Sequence, residues 1–535
     1  MTPSSFCTMA TKSCAYELVG LILSLSIHHP NSKLYIMCDT YTKEYLKKLT
    51  PVPKLKLKLY NELDQYTTLN RKNMEDRGVF LQFLLNKMTI MKKALDHSDD
   101  TLFLDSDIVL FSPIKDINNN KKLGVSKQYL VRESLEETGY YNAGMIWTNN
   151  KTVCNDWKLY SKSNSRYFEQ ASIEKIVNKY SSFTFGEESN VQCWRYIFND
   201  KPEPFEKYIT STPDGSIKYK GKELVCIHTH FRDRRFTKFN NLIMRHLSIA
   251  KRYKEMLIIS RLMNEQWLMK IPINRHLDSF RELSMMMGEE NNDLSIIKTH
   301  EHHCWLMPFV MLYDWDTLEW CDKEVNNASL VLLGNGDINN EGKIINKSTS
   351  IQVKPWIYWP RYPRLLEEMI DKSPPLRYSE RPVDSIFIGN IENSVQQHHR
   401  EPFIKEWSES VHLFECTMGK IHKYRPNDYL DKIRNSRYGL CIRGYGSKCH
   451  REMELMAFGT VPIVTENVTT SSFMEPLIEN KHFFKVSSPS EFKKIVDTTH
   501  KEKWRLMSIA CREWYMRNVH SSNAWENMIS HILYA

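Results

Sequence analysis

Apolar positions in the first 240 residues switch repeatedly between a helical and a strand period. Leu18, Leu21, Ile22 and Leu25 recur at i, i+3, i+4 and i+7, which predicts a helix with one apolar face. The apolar run Leu34 to Cys38 predicts a buried strand ending at Asp39. From Lys54 to Tyr60, Lys and apolar residues alternate strictly, as in a half-exposed strand. Met88, Met91 and Leu95 form another helical stripe, and Thr101 to Leu104 is a short buried strand that delivers Asp105. Helix, strand, then an acidic residue at the strand's carboxyl end is α/β organisation, in which ligands gather at the carboxyl edge of the sheet.

A long helical pattern runs from about Asn241 to Met269 through Leu242, Leu247, Ala250, Tyr253 and Leu257, and Pro272 stops it. The stretch after Gly288 is polar and has no period, which puts a domain boundary near residue 290. A second α/β pattern follows. Its strands are Ser329 to Leu333, ending in Gly334-Asn-Gly; Val383 to Ile388, ending in Gly389; Tyr438 to Ile442; and Val461 to Val464. The last two flank a helix carrying Met453, Leu455 and Met456. The expected organisation is a domain over 1–240, a helical linker over 241–290, and a domain over 291–535 whose second lobe begins near 385.

Composition narrows the classes. A chain of 535 residues exceeds a single core, so two domains are expected. Hydrophobic content of 41% with 12% aromatics excludes disordered and fibrous classes. The net charge of +9 is modest and interspersed, which argues against a dedicated nucleic-acid binder and suits an enzyme handling a diphosphate. The 12 cysteines include no Cys-x-x-Cys pair, so reduced thiols are expected rather than a disulfide framework. The apolar stretch Leu18 to Ile27 is too short to span a bilayer and lacks a basic lead-in, and no 18-residue apolar run occurs elsewhere. The expectation is a soluble, cytoplasmic protein without signal peptide or membrane anchor, whose Asn-x-Ser/Thr sites such as Asn327 stay unmodified.

The first candidate site is Phe103-Leu-Asp-Ser-Asp. Two aspartates one residue apart at a strand end let both carboxylates converge on one divalent cation, Mg²⁺ or Mn²⁺, which also takes the oxygens of a substrate diphosphate. Asp-Ser-Asp after a strand is also a common turn or N-cap, so context decides. The stretch from Lys87 through Leu110 resembles the nucleotide-sugar-binding core of GT-A glycosyltransferases, and Gly139-Tyr-Tyr-Asn-Ala-Gly-Met-Ile-Trp resembles their Asn-Ala-Gly segment. Phe168-Glu-Gln is similar to their acidic-Gln pair, and Cys226-Ile-His-Thr-His-Phe to their late histidine. The resemblance implies Asp105 and Asp107 at the metal, with His228 or His230 as third ligand. It implies Lys87 near the nucleotide or diphosphate, Asn142, Ala143 and Gly144 beside the sugar, and Glu169 and Gln170 at the reacting centre. Glu169 stands where that family usually has Asp, and Glu187-Glu188 is an alternative for the role. The basic run Arg232-Asp-Arg-Arg with Lys238 is either a diphosphate clamp or a solvated loop.

The second candidate site is Arg437-Tyr-Gly-Leu-Cys-Ile-Arg-Gly-Tyr-Gly-Ser followed by Arg451 to Val464. It resembles the donor-binding half of exostosin-type transferases, which have a GT-B architecture of two Rossmann-like lobes; Arg451, Glu454, Gly459 and Pro462 match that pattern. The resemblance implies donor binding without a metal. Gly444 and Gly446 free a loop to wrap phosphates, Arg443 and Arg451 supply charge, and Glu454 accepts from ribose or base hydroxyls. A helix beginning near Ser447 would point its positive end at the phosphates.

His300-Glu-His-His-Cys has no second ligand pair at zinc spacing and reads as a histidine group without metal. Trp356-Ile-Tyr-Trp-Pro-Arg-Tyr is a sugar-stacking surface or a core segment. Together these features predict a bifunctional glycosyltransferase, hexosyl- or pentosyl-, using UDP- or GDP-linked nucleotide-sugars and a glycan acceptor, as in the cytoplasmic glycan assembly of bacteria or large viruses. The alternatives are a non-catalytic glycan-binding or scaffolding module in the second half, and a metal-dependent nucleotidyltransferase or sugar-nucleotide hydrolase.

Overall fold

The computed structural model describes residues 1–49, 51–195, 204–264, 267–272, 278–291, 294–299, 304–306, 309–312, 330–334, 338, 353–419 and 423–534. The chain divides into two compact units, Met1–Glu265 with Leu533–Ala535, and Gln266–Ile532. Both are α/β. The His300-Glu-His-His group and Asn327 lie outside the described residues.

The first unit is built on a seven-stranded sheet. Its strands in chain order are β1 (Ser5–Ala10), β2 (Lys33–Cys38), β3 (Lys56–Asn61), β4 (Thr101–Leu104) and, after a short β5 (Ile108–Leu110) outside the sheet, β6 (Leu123–Lys127), β7 (Tyr141–Thr148) and β8 (Ser182–Phe185). The spatial order is β3-β2-β1-β4-β7-β6-β8. β1 to β4 are mutually parallel and β7 runs against both β4 and β6. Strand order reverses between β1 and β4, the point at which an open α/β sheet leaves a crevice at its carboxyl edge. Later come β9 (Val191–Gln192), a small sheet of β10 (Ile209–Ser211), β11 (Ile217–Tyr219) and β12 (Lys222–Glu223), and then β13 (Cys226–His228). β13 lies between β5 and β9 in a separate three-stranded sheet.

Helix α1 (Ala15–His28) departs from the one-faced helix expected. Leu18 through Ser26 are all buried, because the helix packs against β5 and against the helix Tyr253–Asn264. A helix apolar all round is a core helix. Asp39 stops β2 and caps α2 (Thr40–Lys47): one carboxylate oxygen accepts from Thr42 N–H at 2.8 Å and the other from Lys12 N–H at 2.9 Å. α3 (Asn86–Leu95) buries Lys87, Met88, Ile90, Met91 and Ala94 against the sheet. The helical stretch expected over 241–269 is two helices, α4 (Thr237–Ile249) and α5 (Tyr253–Asn264), followed by a strand. The break falls at Lys251, whose φ of 52° is left-handed. These helices belong to the first unit and the strand to the second, so 241–290 is not a separate linker body.

The second unit holds two sheets. One contains β14 (Trp267–Pro272), β15 (Leu294–Thr299), β16 (Cys304–Leu306), β17 (Phe309–Leu312), β18 (Val331–Leu333) and β19 (Val353–Pro355) in the order β15-β14-β16-β17-β18-β19. β16 pairs antiparallel with both β14 and β17, so this lobe is mixed rather than purely parallel. The other sheet, β21-β20-β22-β23-β24, is parallel throughout. Its strands are β20 (Val383–Ile391), β21 (Leu413–Met418), β22 (Ser436–Cys441), β23 (Val461–Thr465) and β24 (Phe484–Val486). Inside it Arg381 is fully buried and donates to Ser436 O, Phe458 O, Leu376 O and Thr460 Oγ1, which distributes its charge over four acceptors. Among the described residues no helix is long and apolar enough to cross a membrane, and the cysteines are free.

Because Asp39 caps α2 and also ties it to the Lys12 backbone, Asp39→Ala is expected to cost about 1–2 kcal/mol. Chemical denaturation checks this, and an unchanged midpoint would contradict the capping role.

Candidate functional site

The first site forms where β4 ends at the sheet's reversal point. Asp105 N–H donates to Gly144 O at 2.8 Å, continuing the β4–β7 ladder by one residue. Ile108 N–H then donates to Asp105 O at 3.2 Å, closing a turn that sends the chain into β5. β5 pairs antiparallel with β13 in a register that sets Ile108 opposite His228, and Thr229 N–H donates to Asp107 O at 3.3 Å. Sheet register therefore brings His228 to the aspartates. Its Nε2 lies 2.9 Å from Asp107 Oδ1 and 3.8 Å from Asp105 Oδ2. The ring stands edge-on to Trp194, with centroids 4.4 Å apart, and its buried Nδ1 has no hydrogen-bond partner.

Gly144 makes this convergence possible. A Cβ there would sit 2.4 Å from His228 Cε1, 2.5 Å from Asp105 Oδ2 and 2.9 Å from Asn142 Oδ1. Any side chain would displace the aspartate or the imidazole.

The outer oxygen of each aspartate is held by a cationic side chain that a second carboxylate backs. Lys87 Nζ lies 3.0 Å from Asp105 Oδ1, 3.1 Å from Glu169 Oε1 and 3.3 Å from Ala143 O. Burial alone would lower the Lys87 pKa, but the charges of Asp105 and Glu169 raise it, so the ammonium is fixed. On the opposite side, His230 Nδ1 lies 3.2 Å from Asp107 Oδ2 and 3.4 Å from Glu17 Oε1. Tyr16 OH donates to the same Glu17 oxygen at 3.1 Å. Burial would lower the His230 pKa; its hydrogen bond to Glu17 and the charge of Asp107 override this and push it up to about 9. Burial would likewise raise the Asp107 carboxyl, and the nearby His228 and His230 instead hold it well below the usual carboxylate range.

The sequence-derived residues sort as follows. Asp105, Asp107, His228, His230 and Gly144 meet in one cluster. Lys87, expected beside the nucleotide or diphosphate, instead faces three acceptors inside the protein, and Glu169 is buried against it. Asn142 lies within β7 rather than in a turn; its Oδ1 accepts from Gly144 N–H at 3.0 Å and from Asn190 Nδ2 at 3.1 Å. Gln170 bridges Ala143 N–H at 3.3 Å and Thr138 O at 3.0 Å. Glu187 pairs with Lys220 at 2.7 Å, and Glu188 stands 3.7 Å from Lys222, so neither joins the cluster. Arg235 pairs with Asp233, and the Arg232 guanidinium covers the Tyr16 ring at 3.5 Å. Glu17 and Trp194 were not anticipated, and Asn190 ends the Glu187-Glu188-Ser-Asn segment offered as an alternative acidic site. Glu17 had one available signal: a lone carboxylate at the start of an otherwise apolar helix.

The second site is a cavity of about 280 Å³ in the second unit. Helix α6 (His450–Ala457) opens onto it, later than the expected start near Ser447, with Cys449 and Glu452 forming the capping box. Gly444, Gly446, Arg451 and Glu454 line the wall, whereas Arg443 does not. Arg451 is buried, donates through Nη2 to Ile388 O at 2.7 Å and covers the Phe387 ring at 4.4 Å. Its Nε and Nη1 are buried without partners. Both Glu454 oxygens are engaged: Oε1 accepts from Arg361 N–H at 3.0 Å and Oε2 from Tyr429 OH at 2.5 Å. Glu415, also on the wall, is bound by Lys423 at 2.6 Å and Tyr424 OH at 3.1 Å. Tyr358 and Trp359 of the aromatic segment are buried, Tyr358 also lining the cavity with Arg361 and Tyr362, and His450 stacks on Tyr358 and bonds Trp359 O at 2.7 Å.

No protein-family model matches the chain, and no curated protein matches it. Among solved structures it is similar to the galactosyltransferase LgtC in complex with donor and acceptor sugar analogs, at 13% identity and a TM-score of 0.32, covering 46% of this chain and 95% of that one. It is also similar to the glycosyltransferase GlyE of Streptococcus pneumoniae TIGR4, at 10% identity and a TM-score of 0.30, covering 93% of this chain and 98% of that one. A third is the bifunctional WbbM, at 14% identity and a TM-score of 0.32, with 48% and 52% covered. Scores of this size carry no argument about function.

Gly144→Ala is expected to lower the unfolding free energy by about 1–3 kcal/mol through overpacking. Unaltered thermal unfolding would contradict the contacts given above. Burial raises the Glu452 carboxyl from 4.5 to about 7. The folded state therefore binds its proton more tightly, so this contribution to stability is complete below pH 4.5 and lost as pH rises through about 7. Glu452→Gln should flatten the dependence of melting temperature on pH between 5 and 8, and parallel wild-type and variant curves would refute this.

Proposed function

We propose that the chain is a glycosyltransferase with two donor sites. In this reading the first unit is a GT-A-type domain moving a sugar from a nucleotide-sugar with the help of a divalent cation. The second is an exostosin-like, GT-B-type domain that binds its donor without metal. The observation that carries the reading is the convergence of Asp105 Oδ2, Asp107 Oδ1 and His228 Nε2 at the carboxyl edge of the parallel strands of a mixed sheet, where its strand order reverses.

The donor set fits a cation. One ligand atom from each of the three residues lies within 4.8 Å of the others, and Gly144 keeps the space between Asp105 and His228 clear of a side chain. Asp105 and Asp107 bring carboxylates and His228 an imidazole, a donor set suited to a divalent ion. Mixed carboxylate and imidazole donors favour Mn²⁺ over Mg²⁺. His228 is preferred to His230 as third ligand because its Nε2 faces both aspartates, whereas His230 Nδ1 is shared between Glu17 and the outer oxygen of Asp107. When bound, such an ion supplies Lewis-acid neutralisation of charge on a departing nucleoside diphosphate.

The chain's own residues do the rest. Lys87 holds Asp105 in place and compensates Glu169, which makes Glu169 a support for the site rather than a group touching the sugar. Asn142 has its oxygen committed to Gly144 and Asn190, so its amide donors are what it offers to a sugar hydroxyl, next to the backbone of Ala143 and Gly144. Gln170 fixes the Ala143 backbone from behind. In the second unit, the unpartnered N–H groups of Arg451 and the amino end of α6 suit a diphosphate, with Gly444 and Gly446 giving the backbone room.

One observation favours a second reading, in which the second unit binds glycan without catalysis: both carboxylates lining its cavity are already bound within the protein.

The test is a panel of UDP- and GDP-sugars offered to the intact protein with and without EDTA, with products analysed by linkage. EDTA and Asp107→Ala are each expected to cut one linkage by at least about 100-fold, a loss of roughly 2.7 kcal/mol in transition-state binding. Arg451→Ala is expected to abolish a second, EDTA-resistant linkage. Release of free sugar regardless of acceptor would replace transfer by hydrolysis, and indifference of all products to Arg451→Ala would leave the second unit as a binding module.

A further inference from the structure

Glu17 is a buried carboxylate beside the aspartate cluster whose placement the proposed chemistry does not yet use. It stands in the first turn of α1, which follows β1 after a short 3-10 turn at Lys12–Cys14, and its side chain is 8% exposed. Its Oε1 accepts from Tyr16 OH and faces His230 Nδ1, which in turn faces Asp107 Oδ2. The His230 side chain is 45% exposed, so without a tether the ring is free to turn outward. Asp107 is 10% exposed, and its other oxygen, Oδ1, faces His228 at 2.9 Å.

We infer that Glu17 is a positioning residue for the cation site: through His230 it pins the outer oxygen of Asp107, so that Asp107 offers Oδ1 alone toward His228 and Asp105. This deepens the metal-dependent reading of the first unit and rests on it. The geometry has an internal counterpart in the same cluster. Asp105 is held at its outer Oδ1 by Lys87, which Glu169 backs, and it turns its Oδ2 toward His228. Both arms have the same construction: a buried carboxylate, a cationic side chain, then the aspartate. Each restricts an aspartate to one inward oxygen. Two aspartates free to rotate would offer four oxygens in changing combinations; two held ones offer a fixed pair. Supporting groups of this kind typically change metal affinity on the order of 10–100-fold when removed.

Glu17 lies with Asp107 and His230 in a trio whose ligand atoms fall within 4.8 Å of one another, outside the Asp105–Asp107–His228 trio, so its effect appears in cation binding itself. The experiment is Mn²⁺ titration of the full chain, reading free Mn²⁺ by electron paramagnetic resonance, for wild type, Glu17→Gln, Glu17→Ala, His230→Gln, the Glu17→Gln/His230→Gln double variant and Asp107→Ala. Glu17→Gln preserves shape and tests charge, which separates loss of the carboxylate from a folding defect of Glu17→Ala; thermal unfolding without metal accompanies each variant. The expected result is a dissociation constant raised about 10-fold or more in both Glu17 variants. The double variant should lose no more than His230→Gln alone, since one arm is broken only once. Wild-type Mn²⁺ affinity in the Glu17 variants, with binding lost in Asp107→Ala, would overturn the positioning role and leave the metal reading intact. Additive losses in the double variant would also overturn it. Wild-type affinity in Asp107→Ala would remove the metal reading and this inference with it.

Discussion

The absence of a side chain at residue 144 is the constraint on which the first unit's site depends. β4 and β7 are hydrogen-bonded neighbours, and the carbonyl of Gly144 receives the N–H of Asp105 just beyond the end of β4. The space directly above that hydrogen bond is where Asp105 Oδ2 and the His228 ring meet. Two carboxylates and an imidazole approach this closely only if the neighbouring strand contributes backbone alone. Sheet registry then does the remaining work: the β5–β13 pairing fixes His228 opposite Ile108, one residue beyond Asp107.

Electrostatics explains why such a cluster does not spring apart. Like charges within a few ångströms repel strongly when partly buried. Here each aspartate is compensated from outside by Lys87 or His230, and those cations are compensated in turn by Glu169 and Glu17. The second unit solves a related problem without acids. Arg451 is desolvated against Phe387 and keeps two N–H groups unpaired, while nearby carboxylates are occupied elsewhere. One unit concentrates negative charge and the other leaves positive charge unsatisfied.

Much of this was legible in the chain itself where the determinants are local. The strand Thr101–Leu104 and the acidic residues following it fall within a handful of positions, so a buried run and its terminus suffice to find them. In the parallel sheet of the second unit, β20, β22 and β23 announced themselves by the same means, whereas β21 and β24 did not. Local patterns fail where contacts are distant or degenerate. Glu17 meets His230 across 213 residues, and no period encodes that. His228 and His230 are two apart, a spacing that puts both on one side of an extended segment, so pattern alone cannot choose between them. The break between α4 and α5 carries neither Gly nor Pro; a lysine in a left-handed conformation makes it. The carboxylates that Lys87 meets, Asp105 and Glu169, come from two separate segments, which no local pattern encodes.

Helix α1 has a consequence for how this protein tolerates change. At its first turn Glu17 reaches toward Asp107, and two turns later Ser24 Oγ accepts the N–H of Leu110 at the far end of β5. Seven helical residues rise about 10 Å, and the three strand residues from Asp107 to Leu110 advance about 10 Å. The two segments are commensurate, like matched rulers fastened at both ends. Inserting or deleting a single residue in either would put the fastenings out of step, so natural variation here should proceed by replacement in place and leave both lengths untouched.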